Sequence, residues 1–311
     1  MSPRTLAASL VCVAVLATPV TLPALAQDKG TLNPQPLPPL AHPNDPNTPA
    51  KELFGRKTEP SQGDPHVYGF YAHGCIAGAE ELPIDGPTWQ VMRLSRNRNW
   101  GHPRLIAYLE RLSARAAKRG WPGLLVGDMS QPRGGPMITG HASHQIGLDA
   151  DIWLSPMPKR TLTREEREEM SATMVVADSR KDVDPKVWTP GHFAVIKSAA
   201  EDPEVERIFV NPAIKKALCR EAGTDRDWLQ KVRPWWGHDY HFHVRLNCPS
   251  DSPDCKPQNP APTGDGCGPE LASWLRHPVA EPDPNAPPPP PRRGPTMAGL
   301  PPACKAVLNA P

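Results

Sequence analysis

Five of the eleven histidines fall in two short segments, GHASHQIGLDADIW from Gly140 to Trp153 and WWGHDYHFHV from Trp235 to Val244. Both segments combine imidazoles with carboxylates, which suit zinc, and three protein ligands with one position left open is the layout of a catalytic metal site. A β-strand puts residues i and i+2 on one side, so a strand at His241 points His241 and His243 together and turns Phe242 and Val244 the other way. Asp151 offers an anionic ligand from a strand of its own, and a turn at Gly147 lets His144 reach the same point. His144, Asp151 and His243 then form a three-ligand zinc site, in which the metal brings its bound water to a pKa of about 7 and polarises a carbonyl. A neutral His241 beside that water is placed to act as general base. One His-x-His alone is more often ordinary packing; together with His-x6-Asp in an exported chain it argues for metal.

The elements that must position these residues are legible from period. Leu148, Ala150, Ile152 and Leu154 form an apolar set at period two, leaving Asp149, Asp151 and Trp153 on the opposite face. His241 to Leu246 alternates in the same way. Helical spacing runs through Pro103 to Arg119, with Leu105, Tyr108, Leu109, Leu112 and Ala116 on one side. Leu124 to Asp128 and Ile208 to Val210 are short buried strands, and Pro190 to Ala200 and Asn211 to Glu221 are helices. Thr163 to Met174 is expected as a charged, exposed helix.

The ends bound the class. Arg4, the apolar run Leu10 to Leu25 and Ala24-Leu25-Ala26 form a secretory signal over residues 1–26, too short and Pro-interrupted for a membrane anchor. Six cysteines remain after it, and an even number in an exported chain is a disulfide framework with fifteen possible pairings. Cys248 and Cys255 bracket Pro249 and Pro253, the easiest local bridge. A formal charge of +2 and no basic tail give nothing for nucleic acid to bind. Residues 27–65 form a Pro/Asn-rich leader, residues 66–255 the catalytic domain, and residues 256–311 a Pro/Gly-rich tail held by Cys267 and Cys304. Within that tail Pro287 to Pro291 favours polyproline II.

His144-x6-Asp151 with His241-x-His243 resembles the zinc signature of the LAS group of metallopeptidases, named after lysostaphin, D-alanyl-D-alanine peptidases and sonic hedgehog. Longer strings, GHASHQIGLD from Gly140, KVRPW from Lys231, RIFVNPAIK from Arg207, GDGCG from Gly264 and His241-x-His-Val-Arg-Leu246 with Cys248-Pro249, resemble the penicillin-insensitive murein endopeptidases. The similarity runs from about Tyr68 to Cys304. It implies an α+β fold, with a small antiparallel sheet carrying the ligands and helices flanking it. It implies a periplasmic zinc hydrolase that cuts peptidoglycan cross-links between D-alanine and meso-diaminopimelate, untouched by penicillin because no serine is acylated. It assigns His144, Asp151 and His243 as ligands and His241 as base. His141 matches a motif histidine sometimes given to metal, and His238 orients the water or the oxyanion. It pairs Cys75 with Cys304, Cys219 with Cys267 and Cys248 with Cys255. A second metal, present in some relatives, finds carboxylates at Asp178, Asp182 and Asp184 but no histidine, so one zinc is expected.

Arg133, in a Gly/Pro-rich loop, suits a substrate carboxylate or is a solvated loop residue. Ser143 and Asp149 can support the ligand histidines. Trp235, and Trp236 with it, can line a groove, while Trp153 belongs to the core. The competing functions are a zinc D,D-carboxypeptidase or dipeptidase on the same fold, and a peptidoglycan-binding module without turnover. His241 beside a ligand speaks against the last.

Overall fold

The computed structural model describes residues 29–276 and 293–311. The signal segment 1–26 and the run Pro287 to Pro291 lie outside the described residues. In chain order the helices are α1 (Ala50–Phe54), α2 (Pro103–Lys118), α3 (Arg164–Glu169), α4 (Pro190–Ala200), α5 (Pro212–Glu221), α6 (Pro269–Arg276) and α7 (Ala303–Asn309). The strands are β1 (His66–Phe70), β2 (His73–Ala77), β3 (Glu80–Glu81), β4 (Asp85–Gly86), β5 (Trp89–Val91), β6 (Trp100–Gly101), β7 (Leu124–Val126), β8 (Asp149–Trp153), β9 (Val205–Val210), β10 (Val232–Pro234) and β11 (His241–Leu246).

A seven-stranded sheet in the order β10-β9-β11-β8-β7-β5-β4 forms the framework of this α+β protein. Its centre, β9-β11-β8-β7, is antiparallel, as expected; β10 on β9 and β5 on β7 are parallel additions toward the edges. The period-two apolar set of β8 packs on the same side as Phe242, Val244 and Leu246 of β11, against α2, α4 and α5. Helix α2 starts where His102 accepts a hydrogen bond from the Arg104 backbone N–H and Pro103 presets the first turn; its apolar stripe Leu105, Tyr108, Leu109, Leu112 is buried. Asp149, Asp151 and Trp153 face the opposite side, under loops rather than solvent, and are buried too.

The charged helix is shorter than its composition suggests. Thr163 and Glu166 form a capping box, and α3 ends at Glu169. Arg164, Glu165 and Glu169 are exposed as expected, but two of its charges are not. Arg167 is buried, pairing with Asp85 and donating to the carbonyls of Leu162, Ile84 and Val91; Glu168 is buried against the Ser95 backbone and hydroxyl. These two charges are internal ties.

A satellite core joins the ends of the chain. Ala50 and Phe54 of the leader pack with Cys75, Leu300, Cys304, Val307 and Leu308. The disulfides are Cys75–Cys304, Cys219–Cys267 and Cys248–Cys255, the pairing the resemblance implies.

Candidate metal centre

Strands β8 and β11 lie side by side in a register that sets His243 opposite Asp151, Arg245 opposite Asp149 and His241 opposite Trp153. Cross-strand neighbours on one face approach closely, so period and register alone bring two imidazoles to two carboxylates. His144 arrives from the loop between β7 and β8. The loop turns at Gly147, whose φ is 68° and where a Cβ would stand 2.7 Å from Ile76 Cδ1 and 3.0 Å from the His102 backbone nitrogen. A side chain there would crowd Ile76 and the backbone at His102 and strain a left-handed φ.

The result is a triangle of lone pairs. His144 Nε2 is 3.2 Å from His243 Nδ1 and 3.4 Å from Asp151 Oδ1, and His243 Nδ1 is 3.1 Å from Asp151 Oδ1. Atoms bound tetrahedrally at about 2.0–2.1 Å from a zinc ion stand about 3.3–3.4 Å apart. Asp151 Oδ1 is buried and accepts no hydrogen bond, despite the two nearby imidazole nitrogens. A cation satisfies such an atom; a neutral core does not.

His141 belongs to the same cluster by a looser fit. Ligand atoms of His141, His144 and Asp151 lie within 4.8 Å of one another, a group that suits a metallopeptidase. Its Nδ1 is 3.4 Å from the other Asp151 oxygen, but its Nε2 is engaged by Asp128 at 3.0 Å. The His144, Asp151 and His243 triangle is the tighter set.

Supporting contacts hold the triangle in place. Asp149 accepts a hydrogen bond from the His144 backbone N–H at 3.0 Å and two from the Arg245 guanidinium at 2.9 and 3.1 Å. It faces His243 Nε2 at 3.4 Å, an ionic contact rather than an aligned hydrogen bond. Asp149 thus takes the supporting role; Ser143 makes no hydrogen bond to a ligand histidine among the described residues.

Burial favours neutral acids and neutral imidazoles, and the carboxylates resist it. Burial would raise Asp149, but Arg245 and His243 hold it well below the usual range; His241, His144 and His141 do the same for Asp151. Burial lowers His144 to about 4 and lowers His241 and His238. Burial would lower His243 as well, but Asp149 and Asp151 outweigh it and push the ring up to about 9.

A cleft of about 470 Å³ opens over the cluster, lined among others by Arg96, Arg98, Asp128, His141, Asp151, Tyr240 and His241. Trp153 is buried as expected and also borders this cleft. His238 and His144 both have left-handed backbones, φ 55° and 67°, uncommon for histidine and costly enough to be kept for a purpose. The His238 ring lies 4.8 Å from that of His241. Its Nδ1 is 3.0 Å from the Trp236 carbonyl, which can only accept, so Nδ1 carries the proton and Nε2 is the acceptor.

Two sequence expectations move. Arg133 does not reach the cleft. It is buried and donates to the carbonyls of Glu59, Val307, Leu308 and Ala310, where it caps the end of α7. Trp235 is exposed, outside the cleft lining, edge-on to Phe209, whose ring lies 5.4 Å from His243. Trp235 and Trp236 both lie against Trp274, at 6.1 and 4.9 Å between ring centroids. Sequence inspection missed Asp128, Arg96 and Arg98, because nothing in a strand end and a loop announces that they converge.

A family model described as penicillin-insensitive murein endopeptidase matches residues 67–309. The chain belongs to this family. Similar proteins bearing the same description come from Haemophilus influenzae (49% identical, over 78% of this chain and 82% of that one), Yersinia enterocolitica (47%, 81% and 88%) and Escherichia coli O1:K1 (46%, 81% and 89%). As a murein endopeptidase of this family the chain is a peptidase, and its His/Asp group suits a metallopeptidase.

Proposed function

We propose that the chain is a periplasmic zinc endopeptidase that hydrolyses the D-alanyl–meso-diaminopimelyl cross-link of peptidoglycan. The observation that carries this is the triangle of His144 Nε2, Asp151 Oδ1 and His243 Nδ1, with edges of 3.1–3.4 Å around a buried, unsatisfied carboxylate oxygen. One zinc held by these three residues supplies a water of lowered pKa and polarises the scissile carbonyl.

The remaining work falls to the chain's own side chains. His241 sits on the ligand face of β11, with Nε2 3.6 Å from Asp151 Oδ2, close to the ligands without closing the triangle. Burial keeps it neutral, the state in which it accepts a proton at Nε2 and later returns it to the leaving amine. His238, with Nε2 free of a proton, orients an attacking water rather than an oxyanion. His141, tied to Asp128, steadies the second Asp151 oxygen. Trp235 and Phe209 extend an aromatic wall from His243 along which a peptide stem packs. Of the carboxylates Asp178, Asp182 and Asp184, Asp182 is engaged by Lys216 and Arg220.

The test uses cross-linked muropeptide dimers, with products read by mass. Conversion to monomers that a zinc chelator stops and penicillin leaves alone is expected. Release of a terminal D-alanine from intact dimers would make the chain a carboxypeptidase. Zinc bound with no product would make it a binding module.

A further inference from the structure

We infer that Asn211 is a positioning residue for His238: it clamps the turn from Gly237 to Asp239 that sets the His238 ring beside His241. The inference rests on the peptidase reading above, in which His238 orients an attacking water. It gives a task to the Asn211-Pro212 step inside the string RIFVNPAIK, which the metal centre does not use.

Topology explains why a clamp is needed there. In the order β10-β9-β11, strand β10 runs parallel to β9 and β11 runs antiparallel to it. The chain leaving β10 must therefore cross the C-terminal end of β9 to enter β11. The Trp235 backbone N–H still bonds to the Val210 carbonyl, at 2.8 Å. Beyond that rung β9 has ended, and the crossing residues need other partners for their polar backbone groups. Asn211, buried, is the next residue of the chain after β9.

Both polar atoms of the Asn211 side chain are engaged. Its Oδ1 accepts from the Ala213 backbone N–H at 2.9 Å and so caps α5, with Pro212 in the first turn. Its Nδ2 has two protons to give. One goes to the Gly237 carbonyl at 3.2 Å and the other to Asp239 Oδ1 at 2.7 Å. The Asn211 backbone N–H donates to the His238 carbonyl at 3.3 Å. Three consecutive residues of the turn are thus tied to one. Arg180 holds the other Asp239 oxygen at 2.7 Å, which fixes that carboxylate from both sides at the edge of the cleft.

The turn so held is one the chain would not keep unaided. Gly237 and His238 are both left-handed, at φ 70° and 55°, and only the glycine adopts that conformation freely. Such a backbone persists where its surroundings fix it, and here the surroundings are Asn211. The His238 ring, 4.8 Å from that of His241, bonds through Nδ1 to the Trp236 carbonyl and so moves with the turn. The triangle does not depend on this turn, because His144, Asp151 and His243 come from β8, β11 and the loop before β8. Loosening the clamp therefore displaces His238 and spares the metal ligands. A displacement of about 1 Å at a reacting centre costs about a hundredfold in rate.

The test follows cross-linked muropeptide dimers with wild type, Asn211→Ser, His238→Ala and the two substitutions combined, and records zinc content and melting temperature beside kcat and KM. Serine keeps a cap for α5 but gives up the paired amide donors. Asn211→Ser is expected to lose about a hundredfold in kcat, with zinc retained and KM little changed. Because the clamp acts through His238, the double variant should be no slower than His238→Ala alone. A reciprocal exchange, Asn211→Asp with Asp239→Asn, puts a donor and an acceptor back across the gap. It should recover about tenfold or more in kcat over Asn211→Asp alone, and it decides the matter should Asn211→Ser not fold. Wild-type kcat in Asn211→Ser, losses that multiply in the double variant, or an exchange that restores the melting temperature without kcat each overturns the inference and leaves the endopeptidase reading standing. Wild type that leaves the dimers uncut overturns both.

Discussion

At the scale of the residue, two identical side chains two positions apart, His241 and His243, differ in what they reach. Both face one side of β11, but only His243 completes the triangle with His144 and Asp151. Replacing His241 with Ala should therefore reduce turnover by about 10²–10⁴-fold while zinc stays bound. Zinc by mass spectrometry and dimer cleavage check this together, and retained cleavage would remove His241 from the mechanism. The triangle was legible in the sequence because strand period fixes which residues share a face. Its surroundings were not. Asp128 comes from the loop after β7 and Arg96 and Arg98 from the segment after β5, and their convergence depends on tertiary contacts that no local pattern encodes. Arg133 misled for the same reason: a loop arginine looks free for a ligand until the far end of the chain is folded against it.

At the scale of the element, the loop from Gly127 to Leu148 is a metal arm braced from behind. Gln145 donates to the Ala72 carbonyl and accepts from the Gly74 backbone N–H, and Ile76 bonds back to the Arg133 carbonyl. Arg133 links that loop to the carbonyls of α7. Arg133→Ala should leave those buried carbonyls short of donors and cost about 2–4 kcal/mol of stability, with KM for the cross-linked dimer unchanged. Denaturant unfolding and steady-state kinetics separate the outcomes; a raised KM at unaltered stability would return Arg133 to the substrate. Helices α2, α4 and α5 and the strands β8 and β11 follow the apolar periods of the sequence closely, and the antiparallel pairing of β8 with β11 is what the family resemblance implies. The parallel outer strands β5 and β10 do not, because three residues carry no readable period. The α3 segment was misjudged because charge density looks the same whether the partners are water or buried carbonyls.

At the scale of the whole molecule, the concentration of shifted groups in one cluster gives the metal-free protein a narrow range of greatest stability. Asp149 and Asp151 are depressed, so their stabilisation is present above the ordinary carboxylate value of 3.8 and is lost as pH falls below it. His144, lowered from 6.5 to about 4, takes up its proton on unfolding, so stability also declines as pH drops from 6.5 toward 4. His243 runs the other way. Raised to about 9, it contributes fully below 6.5 and loses that contribution as pH rises through 9. The melting temperature of chelated protein should therefore peak near pH 6–7 and fall on both sides. Saturating zinc should remove the alkaline decline, because ligation needs the deprotonated ring. A flat profile from pH 6.5 to 9 without metal would show that His243 is not held by the two carboxylates.

The Cys75–Cys304 bond, which spans 229 residues, has a consequence in time rather than in space. Any process that delivers the chain from its N-terminus presents the whole metal motif, from His141 to His243, well before Cys304. Until Cys304 follows, β2 has no bond to α7, Arg133 has no helix end to cap, and the arm carrying His144 lacks its brace. For a peptidase whose family cuts the cell wall, this delay matters. The His and Asp cluster is made early, and the segment that braces it follows later.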